Sequence, residues 1–257
     1  MTSIQYFNAL REILIRIELE QTSAILEAGG IVASAIASGG ILHVFGSGHS
    51  HIISEEAFYR AGGLAPVNPI LDPRLLFLHG AMESTRAERE SGYAQKLLSH
   101  QDILPNDVAI IISNSGRNAV PIEMALEMRF RGIKKIIAIT NLAQSILSIS
   151  RHTSGKRLFE LADLVIDTCV PVGDAAVDIP GGSQRIGPTS TIAGAAIINA
   201  IIIEAATDLQ RQGLPIPVFR SVNMESSSQQ DTEVLLAQWA PRIPFFRDSL
   251  DPVKKAE

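Results

Sequence analysis

A chain of 257 residues, 46% hydrophobic and 19% charged with a formal net charge of −5, has the make-up of an ordinary α/β protein with one sizeable core. That balance excludes the usual profile of a nucleic-acid binder, which carries a basic excess or a Lys/Arg stripe. The single cysteine, Cys169, excludes an intrachain disulfide framework and any multi-cysteine zinc cluster; within the apolar run LVIDTCV it reads as a small core residue.

The opening residues, MTSIQYFNALREILIRIELE, lack the basic start and long apolar block of a secretory signal, so a cytoplasmic location is expected. Residues 3–38 place Phe7, Leu10, Ile13, Leu14 and Ile17 at helical spacing. Gly29-Gly30 interrupts that pattern and marks either a kink or a close helix contact. A compact α/β unit could begin at Ile41. Residues 1–40 therefore read as a helical decoration whose apolar face would pair with a second copy, residues 41–212 as the ligand-binding domain, and residues 213–257 as a wrapping tail.

Ile41–Phe45 is a short apolar run ending in GSGHS, and a helix is expected over about 51–60 with Ser50 as its N-cap. Pro66 and Pro69 confine any strand in 64–71 to a sheet edge. A charged helix is expected over about 82–99, then a strand at 108–113, a helix at 119–131 and a strand at 135–140. A short helix near 158–162 and a strand at 164–168 follow. Residues 171–189, rich in Gly, Pro and Asp, read as a long loop. A helix from 190 to 211 follows; the uncharged run Gly187–Ile203 opens with capping chemistry and falls short of the roughly 20 apolar residues of a membrane span. Alternation of this kind predicts a parallel sheet with right-handed crossovers, covered by helices on both faces.

Two stretches repeat one design: an apolar strand, a polar turn, then a helix. In ILHVFGSGHS the turn holds Ser47, Gly48, His49 and Ser50. In AIIISNSGRN it holds Ser113, Asn114, Ser115, Gly116 and Asn118. Glycines let the backbone approach a ligand, hydroxyls donate to phosphate oxygens, and a helix N-terminus offers unpaired amides and a positive dipole end. Parallel strands end on one sheet edge, where ligands of open α/β sheets bind. The pair therefore points to a phosphorylated small molecule. Neither turn is a dinucleotide fingerprint or a P-loop, because GxGxxG and Gly-Lys-Ser/Thr are absent. Ser190, opening the 190–211 helix, reads equally as a cap or as a ligand contact.

GSGHS, SNSGRN, the AIT ending the 135–140 strand and LADLVID resemble the sugar isomerase (SIS) domain over roughly residues 20–210. The segment EEAFYRAGGLAPVNPIL and the Ser-Gly-Arg triplet look most like bacterial phosphosugar isomerase-like proteins, similar in turn to phosphoheptose isomerase and N-acetylmuramic acid 6-phosphate etherase. The resemblance implies a three-layer, flavodoxin-like sandwich around a five-stranded parallel sheet, a homodimer, and a site near the subunit interface. It also implies phosphate contacts from Ser113, Ser115, Ser47 and Ser50, with Asn118 standing where the family more often has Thr.

Isomerising a sugar phosphate requires a base to move a proton between adjacent carbons. Glu83, Glu88 and Glu90 fall where SIS isomerases and the etherase place a catalytic glutamate. Glu83 and Glu90, seven apart, share a helix face, and Glu88 lies well round from both. Glu90 is the first expectation, ahead of Glu88 and Glu83, with His49 as a further candidate; a solvated face paired with Arg86 and Arg89 is the plainer account of most of these acids. No cofactor is expected. The resemblance leaves zinc open, though only His49-Ser50-His51 hints at a site. The expected function is binding and aldose–ketose isomerisation of a sugar phosphate, against a non-catalytic sensor or a phosphosugar lyase or etherase. Neither a nucleic-acid nor a membrane partner is expected.

Overall fold

A computed structural model describes residues 2–221 and 229–250. Five strands, β1 (Leu42–Gly46), β2 (Val67–Ile70), β3 (Val108–Ile112), β4 (Lys135–Thr140) and β5 (Leu164–Asp167), form one parallel sheet in the order β2-β1-β3-β4-β5. Their continuous apolar runs are the mark of strands covered on both faces. In β3, Val108, Ile110 and Ile112 enter one core, while Ala109 and Ile111 enter the other. The first core lies beneath helices α1 (Thr2–Ala37), α2 (Ser50–Glu56) and α7 (Ser190–Arg211). The second lies beneath α3 (Ala81–Ala87), α4 (Tyr93–Leu98) and α5 (Ala119–Phe130). β2, with Pro69, is an edge strand as expected. The expected three-layer sandwich with a five-stranded parallel sheet is therefore the observed fold.

Residues 2–37 form a single helix of 36 residues. Ile25, Ala28, Val32 and Ile36 share a core with Ile197, Ile201 and Ala205 of α7. Gly29 marks a close contact and not a kink: a Cβ there would lie 2.4 Å from Glu204 Cβ. Ala at this position would gain about 1 kcal/mol of helix propensity. Overpacking typically costs about 1–3 kcal/mol, so the contact decides in favour of glycine. α7 is, among the described residues, the one helix long and apolar enough to cross a membrane, and it spends Ile197, Ile198 and Ile201 in this core.

Three expectations are corrected. The helix expected over 82–99 is two helices, because Gly92 adopts φ +79° and, with Ser91, donates to the Glu123 carboxylate. Residues 171–189 are not a plain loop; they hold an antiparallel hairpin of β6 (Ala175–Asp178) and β7 (Arg185–Pro188). A short helix, α6 (Leu142–Leu147), follows β4, while 158–160 forms only a 3₁₀ turn. In the tail, Phe219 exchanges backbone hydrogen bonds with Gly62 and Gly63, and its ring packs with Tyr59 and Phe246. α8 (Gln229–Trp239) and α9 (Pro244–Leu250) complete the described tail, and Arg242 between them reaches Asp107 at the start of β3.

Candidate functional site

The register pairs Gly46 of β1 with Ile112 of β3, so the two polar turns leave the same sheet edge side by side. In the first, a Cβ on Gly46 would lie 2.3 Å from Ser50 O, so only glycine lets α2 start so near the strand. Gly48, at φ +57°, gives its amide to Leu75 O. Ser47 is buried, and Ser50 is the first residue of α2 instead of its cap; His49 holds the cap position without a side-chain bond. The exposed His49 ring lies 4.9 Å from that of Phe77.

In the second turn, Ser113 Oγ accepts from the amide of Gly116, which sits at φ +59°. Asn114 Oδ1 is buried without a partner. Val120 at the start of α5 gives its amide to Glu88 O, and Pro121 has none to give, so this helix end offers fewer free donors than most. In the turn before it, the Ser113 and Gly116 amides are engaged by Ile139 O and Ser113 Oγ.

The glutamates separate cleanly. Glu88, at the C-cap of α3, accepts from Ser47 Oγ at 2.6 Å and from Asn118 Nδ2 at 2.7 Å, and so joins the two turns. Glu90, the residue first expected as base, is instead held by Arg74 and Lys96, both at 3.0 Å. Those two cations, Lys96 foremost, hold its carboxyl below the ordinary range. Glu83 shares Arg74 with it, at 2.8 Å, which is the common face expected of the pair. The break before α4 ends the turn that carries Glu88, a cause that no helical wheel drawn over 82–99 could include.

Ser190 is engaged inside the protein. Its amide and hydroxyl both donate to Asp174, each at 2.7 Å, and the Thr189 amide joins them at 2.8 Å. The chain's own carboxylate thus caps α7. The residues that hinted at zinc do not fit a metal: His51 Nδ1 meets Glu55, and its Nε2 accepts from the Asp72 amide. Burial lowers the His51 pKa, with Glu55 opposing. No group of three His, Cys, Asp or Glu side chains suited to a metal occurs among the described residues. A cavity of about 640 Å³ beside Ser34, Asn106 and Lys135 lies at the opposite sheet edge, where β3 and β4 begin.

Three arginines were not anticipated as site residues, although Arg117 stands inside SNSGRN. The connection after α6 folds back over the second turn: the Arg151 amide donates to Arg117 O, and the Leu158 amide to Gly116 O, both at 2.8 Å. Arg151 Nη1 donates to Asn118 Oδ1, also at 2.8 Å. Arg89 follows Glu88 directly and is exposed. Arg151 feels the like charges of Arg117 and Arg89, and nothing in the spacing of these residues along the chain signals it.

Residues 5–141 match the family described as SIS domain. The UPF0309 protein of Geobacillus kaustophilus (strain HTA426) is 42% identical over 242 residues, covering 94% of this chain and 96% of that one. A UPF0309 protein of Halalkalibacterium halodurans is 41% identical over 229 residues, covering 89% and 94%. Among solved structures, the phosphoheptose isomerase GmhA from Neisseria gonorrhoeae superposes with a TM-score of 0.50 over 78% of this chain and 95% of its own. At 14% identity that likeness speaks for the fold alone. The chain belongs to the SIS domain family, in company with the UPF0309 proteins.

Proposed function

We propose that this protein binds a phosphorylated sugar across the β1 and β3 turns and isomerises it between aldose and ketose forms, with Glu88 as the base. The observation that carries the reading is the Glu88 carboxylate, fixed by Ser47 and Asn118 where the two turns meet. An ionised carboxylate has about four lone-pair sites, so two bound donors leave others to take a proton from the sugar. Ser50, Ser113, Asn114, Ser115 and Gly116 supply the phosphate anchor. Fixing the phosphate sets the distance from the base to the carbons beside the carbonyl, and the base then moves the proton between them. His49, exposed at the mouth of the first turn, is assigned to proton transfer in ring opening. Ser190 falls outside the site, since Asp174 takes its donors.

The family and the phosphoheptose isomerase neighbour support a phosphosugar ligand. Exposed Phe7, Ile15, Leu19 and Leu26 along α1 support a homodimer, to be checked by light scattering at micromolar concentration. The setting is a cytoplasmic one. The test of function is a coupled assay over hexose, heptose and amino-sugar phosphates with wild type and Glu88→Gln. Turnover of one member, abolished in the variant while binding persists, is expected. Binding without turnover of any member would make the protein a sensor, and elimination in place of isomerisation would make it a lyase.

A further inference from the structure

Three guanidiniums stand beside Glu88 with no carboxylate assigned to them. Arg74, Arg129, Arg131, Arg157 and Arg242 each pair with an acid; no described carboxylate forms an ion pair with Arg89, Arg117 or Arg151. Arg117 Nε is buried and has no partner. Only one donor of the Arg151 guanidinium is used, on Asn118. Arg151 is held below its ordinary pKa by partial desolvation and then by repulsion from Arg117 and Arg89, with Glu88 opposing. Like charges gathered this way weaken the fold, and a bound anion removes that penalty.

A phosphate ester has three terminal oxygens, and the hydroxyls of Ser50, Ser113 and Ser115 with the Asn114 and Ser115 amides can satisfy them; the Ser50, Ser113 and Gly116 amides are taken by Ser47 O, Ile139 O and Ser113 Oγ. Each guanidinium carries five N–H donors in a planar fork matched to an oxyanion. The capacity of three forks exceeds what one phosphate needs. Arg151 also bonds Asn118 at the end of the Ser47–Glu88–Asn118 chain away from the first turn, and its amide meets Arg117 O. We propose that Arg117, Arg151 and Arg89 form a second anion subsite, so that the substrate is a phosphosugar bearing a further acidic group, either a carboxylate or a second phosphate. The proposal rests on the phosphosugar reading and names its substrate class.

The test is calorimetric titration of wild type, Arg151→Gln, Arg89→Gln and Ser113→Ala with three probes. Glucose 6-phosphate carries one anion; 6-phosphogluconate adds a carboxylate and fructose 1,6-bisphosphate a second phosphate. At least one two-anion probe should bind wild type about tenfold or more tighter than glucose 6-phosphate, as a charged hydrogen-bond pair is expected to give. Which of the two gains identifies the second group. Arg151→Gln should erase most of that advantage. Arg89→Gln, at an exposed position, reads the same loss should Arg151→Gln fail to fold by circular dichroism. Equal affinities in wild type overturn the proposal. So does an arginine variant that weakens all three probes alike, since the guanidiniums would then hold the anchoring phosphate itself. Ser113→Ala should weaken all three probes; if it changes none, the phosphosugar reading fails, a result separate from failure of the second subsite.

Discussion

Where β1 and β3 begin, polar groups are spent on one another. Asp107 accepts from the Ile41 and Leu104 amides, from Arg242, and lies 3.0 Å from His43 Nε2; His43 Nδ1 in turn meets Asn68. Where β3, β4 and β5 end, the buried Asn114 Oδ1, Arg117 Nε, Ser145 Oγ and Thr168 Oγ1 have no hydrogen-bond partner among the described residues. An unpaired buried polar atom costs about 1–3 kcal/mol, so selection for stability alone would remove such atoms. One edge is built to hold the tail and the sheet together, and the other keeps donors and acceptors in reserve. At the first edge Asn68 Oδ1 and Arg242 Nε also lack a hydrogen bond, though Nε lies 2.7 Å from an Asp102 carboxylate oxygen.

The comparison breaks most readily at Glu88. Glu88→Gln should lower kcat by about 10²–10⁴-fold, the usual contribution of a positioned base, with thermal stability nearly kept. Glu90→Gln, removing a carboxylate held by exposed cations, should change kcat far less. If the two variants lose activity equally, the edge-by-edge division of roles is wrong.

Next in size is Asp107→Asn. Asp107 is fully buried and its partner Arg242 is 15% exposed; breaking such a pair costs about 3–5 kcal/mol, to be read from urea unfolding. Burial would raise the Asp107 carboxyl, but His43 and the Leu104 and Ile41 amides outweigh it and hold the group below the ordinary carboxylate range. A depressed folded pKa gives a contribution that is full above the unfolded value, about 4, and is lost as pH falls through the folded one. The gap between wild type and variant should therefore close below about pH 4; a gap constant down to pH 2 would contradict the charged network.

The smallest effect sharpens the contrast. Ser113→Ala should weaken sugar-phosphate binding about tenfold, one hydrogen bond to a charged group, and lower the unfolding free energy by about 1–3 kcal/mol because the Gly116 amide loses its acceptor, less than Asp107→Asn. A large loss of stability would mean that this edge, too, is structural.

Much of this was legible from the residues. The three interior strands announce themselves as apolar runs, and the paired turns follow because parallel strands must end together. Ser91-Gly92 was harder to read, since a glycine inside a charged helical stretch breaks it only if an outside acceptor is there, here Glu123. The β6–β7 hairpin escaped notice because AAVD and RIGP carry no alternation of apolar and polar residues. Arg151 lies 34 positions after Arg117, and only the backward fold of the connection following α6 brings its amide to the Arg117 carbonyl. Arg74, which pairs with Glu90, comes from the turn after β2, and nothing within 82–99 announces it.

The seam between α1 and α7, closed at Gly29 against Glu204, sets a timetable for synthesis. α1 leaves the ribosome ahead of the whole sheet and carries an apolar flank whose counterpart, α7, is translated after it. The sheet can assemble in the meantime, but that flank stays uncovered until residue 211 has emerged. Nascent chains stalled before and after this point should differ sharply in their demand for chaperones.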